Sequence, residues 1–145
     1  MAVFAVDTSC MVAAACSWHE QHEATAAAIE SRLTRGRRLA VPAPALVESY
    51  AVLTRLPAPH RLSPANAWAL IQANFVEQAD VVALTGAEYI RLLRDGAPRD
   101  VAGGRTYDTV IAACVRKAGA DELLTLNHRH FDPAPAGLSI VEPKG

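Results

Sequence analysis

Near its start the chain carries five consecutive apolar residues, Ala2 to Val6, which stop abruptly at Asp7, Thr8 and Ser9. A short unbroken run rich in β-formers suits a central strand buried on both faces, because a strand with one wet face would alternate polar and apolar positions. A two-face-buried strand needs helices on either side and parallel neighbours reached by crossover connections. This one feature therefore predicts an α/β fold, with a carboxylate at the carboxyl end of its central strand.

The rest of the chain agrees with that reading. Short apolar runs at 39–41, 81–84, 122–126 and 138–141 predict four more strands. Between them, helical spacing predicts helices from about Cys10, over 20–34, over 44–56 and over 106–117. Ser63 before Pro64 opens a helix running to about Glu77. Thr85 and Glu88 form a capping-box pattern for a helix closing near Gly96, and residues 97–104 read as a loop. Strands and helices alternating in this way predict three layers: a mostly parallel sheet of about five strands flanked by helices. At 145 residues, 51% apolar and 20% charged, the chain has material for one compact domain over 1–145 and little case for disorder. Alanine runs such as 13–15 and 26–28 favour helices that pack closely.

A net charge of −1 gives no global attraction to nucleic acid, so any such surface must come from local clustering of arginines. Cys10, Cys16 and Cys114 form no disulfide framework and read as buried, reduced thiols. With no run near the ~18 apolar residues of a membrane helix and no basic leader, the expected location is cytoplasmic.

Ligands of open parallel sheets bind at the carboxyl ends of the strands. Asp7 follows the first strand and Glu48 comes shortly after the second, while Asp108 sits in the first turn of the helix before the fourth. Two carboxylates ~4 Å apart repel by roughly 4 kcal/mol at an effective dielectric of 20, which protonation or a cation must relieve. An all-oxygen set without a cysteine–histidine arrangement points to Mg²⁺ or Mn²⁺ rather than zinc. Such a site can polarise a phosphodiester and activate water. Taken singly, Asp108 is better explained by the helix dipole and Glu48 is balanced between the two readings, whereas the buried strand leading into Asp7 commits it to the sheet edge; the joint placement of three acids is what favours chemistry.

Four motifs occur in order along nearly the whole length. They are Val6-Asp7-Thr8-Ser9, Val47-Glu48 after Val41-Pro42-Ala43-Pro44, Tyr107-Asp108-Thr109-Val110-Ile111, and Leu124-Thr125-Leu126-Asn127. In these the chain resembles the PIN-domain family, and most of all its VapC-type toxins. The resemblance implies a metal-dependent endoribonuclease, the toxin of a type II toxin–antitoxin pair. It would cleave RNA by water attack to leave a 5′-phosphate and a 3′-hydroxyl, as a homodimer inhibited by a VapB-like antitoxin. It also implies that Asp7, Glu48 and Asp108 hold Mg²⁺ or Mn²⁺, with Ser9 and Thr125 supporting the site or contacting phosphate. Where many members carry a fourth acid, this chain has Asn127, nineteen residues after Asp108. An amide can offer a carbonyl oxygen but no charge, which weakens a second cation site. Asp132 stands nearby in sequence as a substitute, although Asp132-Pro133 also reads as a turn.

Arg105, three residues before Asp108, is the best candidate for a phosphate contact. Arg32, Arg35, Arg37 and Arg38 form the one basic cluster, either a solvated helix end or an RNA contact. His128 and His130, like His19 and His22, lack common zinc spacing and read as solvent-facing, with His128 and Arg129 open to an RNA contact. Trp18 and Trp68 are expected in the core or a dimer interface rather than as base-stacking platforms. Two other classes remain. A PIN fold without catalysis would act as an RNA- or protein-binding module, a reading kept open by Asn127. A phosphoacceptor receiver domain would need a second early acid and a lysine near the last strand, and only Asp7 and the distal Lys144 are present.

Overall fold

The computed structural model describes residues 2–144. Its centre is a five-stranded, fully parallel sheet built from β1 (Val3–Val6), β2 (Arg38–Pro42), β3 (Ala79–Val82), β4 (Glu122–Leu124) and β5 (Ser139–Val141). The spatial order is β3-β2-β1-β4-β5. The opening apolar run is thus the central strand, with Phe4, Ala5 and Val6 inaccessible to solvent. Helices α1 (Thr8–Ala15), α2 (His22–Thr34), α3 (Ala43–Arg55), α4 (Pro64–Ile71), α5 (Gly86–Gly96) and α6 (Gly104–Lys117) supply the crossovers. None among the described residues is long and apolar enough to cross a membrane.

Side-chain alternation along the strands divides the core into two layers. Phe4, Val6, Leu39, Val41 and Leu124 point one way, onto Cys10 and Met11 of α1 and Ile29 of α2. Ala5, Ala40 and Leu123 point the other way, onto Val115 of α6, Phe131 and Leu138. Small residues at Ala5 and Ala40 leave room for Val115 of α6 to pack on this face. The three cysteines are free and buried, as expected of small apolar core residues.

Several boundaries depart from those expected. Strand β3 begins two residues early, because pairing with β2 sets its register, Val41 opposite Val81, and an edge strand has little burial to enforce an apolar choice. Val81 is accordingly exposed. The helix expected to run to about Glu77 changes after Ile71 into a π-helical turn, Gln72–Val76, which carries Phe75 into the core. The expected 97–104 loop holds a short 3₁₀ turn, Ala97–Arg99, ended by Asp100 in the left-handed region at φ 58°. Pairing of β4 stops at Leu124, two residues sooner than its apolar run. Trp18 and Trp68 are about half exposed rather than in the core, and Trp18 stacks on His60 with ring centroids 4.1 Å apart.

At the amino edge of the sheet three of the four arginines of the basic cluster find carboxylate partners, while Arg35 enters no ion pair among the described residues. Arg32 makes a bidentate pair with Glu122, at 2.8 and 3.0 Å. Arg37 pairs with both Glu122 and Asp121, and Arg38 with Asp80. Of the two readings open from sequence, a solvated helix end or an RNA contact, neither describes Arg32, Arg37 and Arg38, whose carboxylate pairs give them a structural role joining α2, β2, β3 and β4. Hydrogen bonding to Arg32, opposed by burial and reinforced by Arg37, holds the Glu122 carboxyl below its usual range. With the folded value lowered, its stabilisation is present above the unfolded value near 4.5 and is lost as pH falls through the folded one. Glu122→Gln is expected to cost about 2 kcal/mol near neutral pH. In denaturant melts the gap between wild type and variant should close as the pH is lowered below that range.

Candidate active site

The carboxyl edge is arranged around Asp7. The backbone N–H of Asp7 continues the ladder to the Leu124 carbonyl at 3.2 Å, so the residue is positioned by β1 and β4 before its side chain acts. That side chain caps α1: Oδ1 accepts from the Cys10 amide at 3.1 Å and from the Ser9 hydroxyl at 2.6 Å. Its Oδ2 accepts from the Thr125 hydroxyl. Both hydroxyls also accept from the backbone, Ser9 from the Leu126 amide and Thr125 from the Asn127 amide, each at 2.9 Å. The end of β4 and the segment after it are thereby tied to the end of β1.

Asp7 is 6% exposed and enters no ion pair with a basic side chain among the described residues. Burial pushes its carboxyl above the ordinary range against the opposing pull of the Ser9, Thr125 and Cys10 hydrogen bonds. A buried carboxylate that keeps its charge without a counter-ion is costly, and this one gains only hydrogen bonds.

Asp7, Glu48 and Asp108 line one cleft of about 1170 Å³, together with Ser9, Asn127 and His130. Asp108 lies in the second turn of α6, a turn later than expected. Burial raises its carboxyl, the nearby His130 lowers it, Glu48 raises it and Arg105 lowers it. The His130 Nδ1 stands 3.7 Å from Asp108 Oδ1. Glu48 is exposed on α3, beside a buried Ser49 whose hydroxyl packs on Met11 Sδ at 3.5 Å. The three acids share the cleft without closing into a ready-made cluster, for among the described residues no three acidic, histidine or cysteine side chains converge as metal ligands. Mutual repulsion and the reach of an exposed glutamate account for that spread.

Other candidates sort as follows. Thr125 is fully buried and donates to Asp7, whereas Asn127 reaches the cleft wall. Arg105 lines an adjoining groove that shares Asp108 with the cleft. Asp132 also belongs to that groove and not to the acid cleft, so it does not replace the acid missing at Asn127. His128 lies near Glu142, at 3.5 Å, and lines neither space. His19 lines the acid cleft, its Nδ1 accepting from the Gln21 amide at 3.0 Å, and the His22 Nδ1 lies 2.9 Å from the Ala13 carbonyl; among the described residues neither joins a cluster of three possible metal ligands. His130 is solvent-facing, as expected from sequence, and at the same time stands beside Asp108 on the wall of the acid cleft. Its place depends on the 3₁₀ turn His128–Phe131, which leaves no periodic trace.

The sequence profile of the PIN domain matches residues 4–135. Ribonuclease VapC40 of Mycobacterium tuberculosis is 41% identical over 127 residues, 88% of each chain. Ribonuclease VapC27 of the same organism is 33% identical over 128 residues, 88% of this chain and 87% of that one. A solved structure of VapBC2 from Rickettsia felis, bound to a promoter DNA fragment, matches with a TM-score of 0.68 at 15% identity, covering 98% of this chain and 99% of that one. The chain belongs to the PIN-domain family, and within that family its relatives place it in the VapC group.

The energetics of Asp7 give a direct test in metal-free protein. Asp7→Asn keeps an oxygen for the α1 cap and removes the buried charge, so its melting temperature in EDTA should equal or exceed that of wild type at neutral pH. Because the folded Asp7 carboxyl is raised, that advantage should vanish as pH falls through its folded value and both side chains become neutral. Asp7→Ala, which also loses the cap, should instead cost about 1–2 kcal/mol.

Proposed function

We propose that this chain is a divalent-metal-dependent endoribonuclease, the toxin half of a type II toxin–antitoxin pair. The observation that carries the reading is the buried, cation-free carboxylate of Asp7 facing Glu48 and Asp108 across one cleft of a VapC-type PIN fold. The donor set fits Mg²⁺ or Mn²⁺: three carboxylates and an amide oxygen, no thiolate, and a central Asp7 that no basic side chain compensates. When bound, the cation supplies positive charge at the reacting phosphodiester and makes water a competent nucleophile at neutral pH.

The protein's own groups do the positioning. Ser9, Thr125 and the Cys10 amide hold the Asp7 carboxylate in one orientation, leaving one lone pair of Oδ2 for the cleft. Glu48, on an exposed side chain, closes the donor set from α3, and Asp108 from α6. The charge of a protonated His130 favours the ionised form of Asp108. Asn127 contributes a neutral carbonyl oxygen, which favours one tightly held cation over two. In the reaction the water oxygen forms the new bond to phosphorus and the bond to the 3′ oxygen breaks. The released proton reaches that oxygen, leaving a 5′-phosphate and a 3′-hydroxyl.

Asp7→Asn and Asp108→Asn are expected to lower Mg²⁺- or Mn²⁺-dependent cleavage of single-stranded RNA by more than about a hundredfold, with the circular dichroism spectrum unchanged. Wild-type activity in either variant would defeat the mechanism. Asn127→Asp should tighten divalent-cation binding in calorimetry. Asn127 also favours a second reading, a binding module with little catalysis. That reading requires wild-type protein to bind RNA or a protein partner and to show no cation binding in the same titration.

A VapB-like antitoxin is the partner this reading requires, and a homodimer is the expected assembly. Val47 of α3 and Tyr107 of α6 stand exposed on the rim of the acid cleft, and Ile90 and Leu93 of α5 are exposed as well. Under this reading these exposed apolar side chains are the candidates for contact with a partner chain. Light scattering of the purified chain should return the mass of two chains, and Ile90→Asp with Leu93→Asp should return one if α5 forms the contact.

A further inference from the structure

A second concavity, about 960 Å³, runs between α5 and α6 and meets the acid cleft at Asp108, His130 and Phe131. Each helix presents a single stripe to it. From α5 come Glu88, Arg91 and Asp95, with Arg99 from the 3₁₀ turn that follows it, and from α6 come Arg105, Asp108, Thr109, Ala112, Ala113 and Arg116, the helical residues recurring three and four apart on one face. The alanines leave the middle of the α6 stripe low, so the arginines at its ends stand above a shallow floor.

The charge here is unusual for this chain. Four arginines and Lys117 line the groove against four carboxylates, Glu88, Asp95, Asp108 and Asp132, a surplus of one positive charge where the protein as a whole carries −1. Lys117 is engaged by Glu88 at 2.6 Å and the Ala83 carbonyl at 3.0 Å, and Arg99 by the Asp95 carbonyl at 3.2 Å. Arg91, Arg105 and Arg116 enter no ion pair among the described residues. All three are exposed. At the amino edge, by contrast, Arg32, Arg37 and Arg38 are all matched by carboxylates.

We propose that the α5–α6 groove is an extended phosphate-binding track that holds single-stranded RNA running away from the acid cleft. The proposal rests on the ribonuclease reading above. Three carboxylates in a cleft repel a phosphodiester chain, so the strand must be retained by cations close by but outside the cleft. The unpaired guanidiniums supply that retention, with planar donors suited to phosphate oxygens. From Arg105 beside Asp108 to Arg116 the α6 stripe is about 16 Å long, at 1.5 Å per residue. That length serves several phosphates, with Arg91 across the groove from it. Continuity with the site where the phosphodiester reacts favours RNA over an acidic peptide as the occupant.

The test uses a fluorescent single-stranded RNA oligonucleotide in Ca²⁺, with binding read by anisotropy across a salt series. Arg91→Glu with Arg116→Glu is expected to weaken binding on the order of tenfold or more and to reduce the salt slope by about 1.4, the loss of two phosphate contacts. Arg91→Lys with Arg116→Lys should restore most of the slope, separating charge from fold. Arg35→Glu with Arg38→Glu makes the same change in net charge at the opposite edge and should leave affinity within about twofold. Equal losses from the two reversed pairs would overturn the track, as would an unchanged affinity in Arg91→Glu with Arg116→Glu. Unchanged RNA binding together with lost binding of an acidic peptide would assign the groove to a protein partner and likewise overturn it. Failure of the ribonuclease reading is distinct: wild-type protein would then neither bind nor cleave the RNA in Mg²⁺ or Mn²⁺.

Discussion

Everything at the carboxyl edge depends on how Asp7 is held. Its two oxygens accept from one backbone amide and two hydroxyls, and those hydroxyls accept in turn from the backbone after β4. One side chain therefore caps α1 and ties the segment after β4 to β1. It also stays almost wholly buried without a cation beside it. The hydrogen bonds favour the charged form and burial disfavours it, with burial the larger effect. A group in that balance responds strongly to any positive charge brought to the cleft, a response that an exposed aspartate, already solvated by water, would lack.

The two edges of the sheet handle charge in opposite ways. At the amino edge Glu122 and Asp121 are satisfied by Arg32 and Arg37, and Asp80 by Arg38, so three strands and a helix are joined with little net charge left over. At the carboxyl edge the acids face one another, and the nearest cations stand to the side, in the α5–α6 groove. A parallel sheet allows this division because every strand runs the same way, so residues that follow strands collect at one edge and residues that precede them at the other. Stability is thus concentrated at one edge and uncompensated charge at the other.

The parts legible in sequence were those with a local signature. An unbroken apolar run followed by Asp7 is enough to specify a central strand and its terminal carboxylate, and the Thr85 and Glu88 capping box appears as expected. What sequence did not reveal was set by tertiary pairing. The register of β3 follows from β2, and the π turn that buries Phe75 answers to the core rather than to helical spacing. His130 comes to within 3.7 Å of Asp108 only because a 3₁₀ turn follows the end of β4. The arginine cluster at 32–38 was visible as charge, but its carboxylate partners lie some ninety residues away in the chain, at Asp121 and Glu122.

Asn127 bears on how this balance is kept. A fourth carboxylate at its position would stand within the same cleft as Asp7, Glu48 and Asp108 and would add repulsion in a metal-free fold whose central acid is already raised by burial. The amide avoids that cost while its carbonyl oxygen remains available as a donor. It also lowers the negative charge that opposes an approaching phosphate chain. A site with three acids therefore asks less of the arginines in the adjoining groove than one with four. Asn127 and the unpaired Arg91, Arg105 and Arg116 act in the same direction, both easing the approach of a polyanion to an acidic centre.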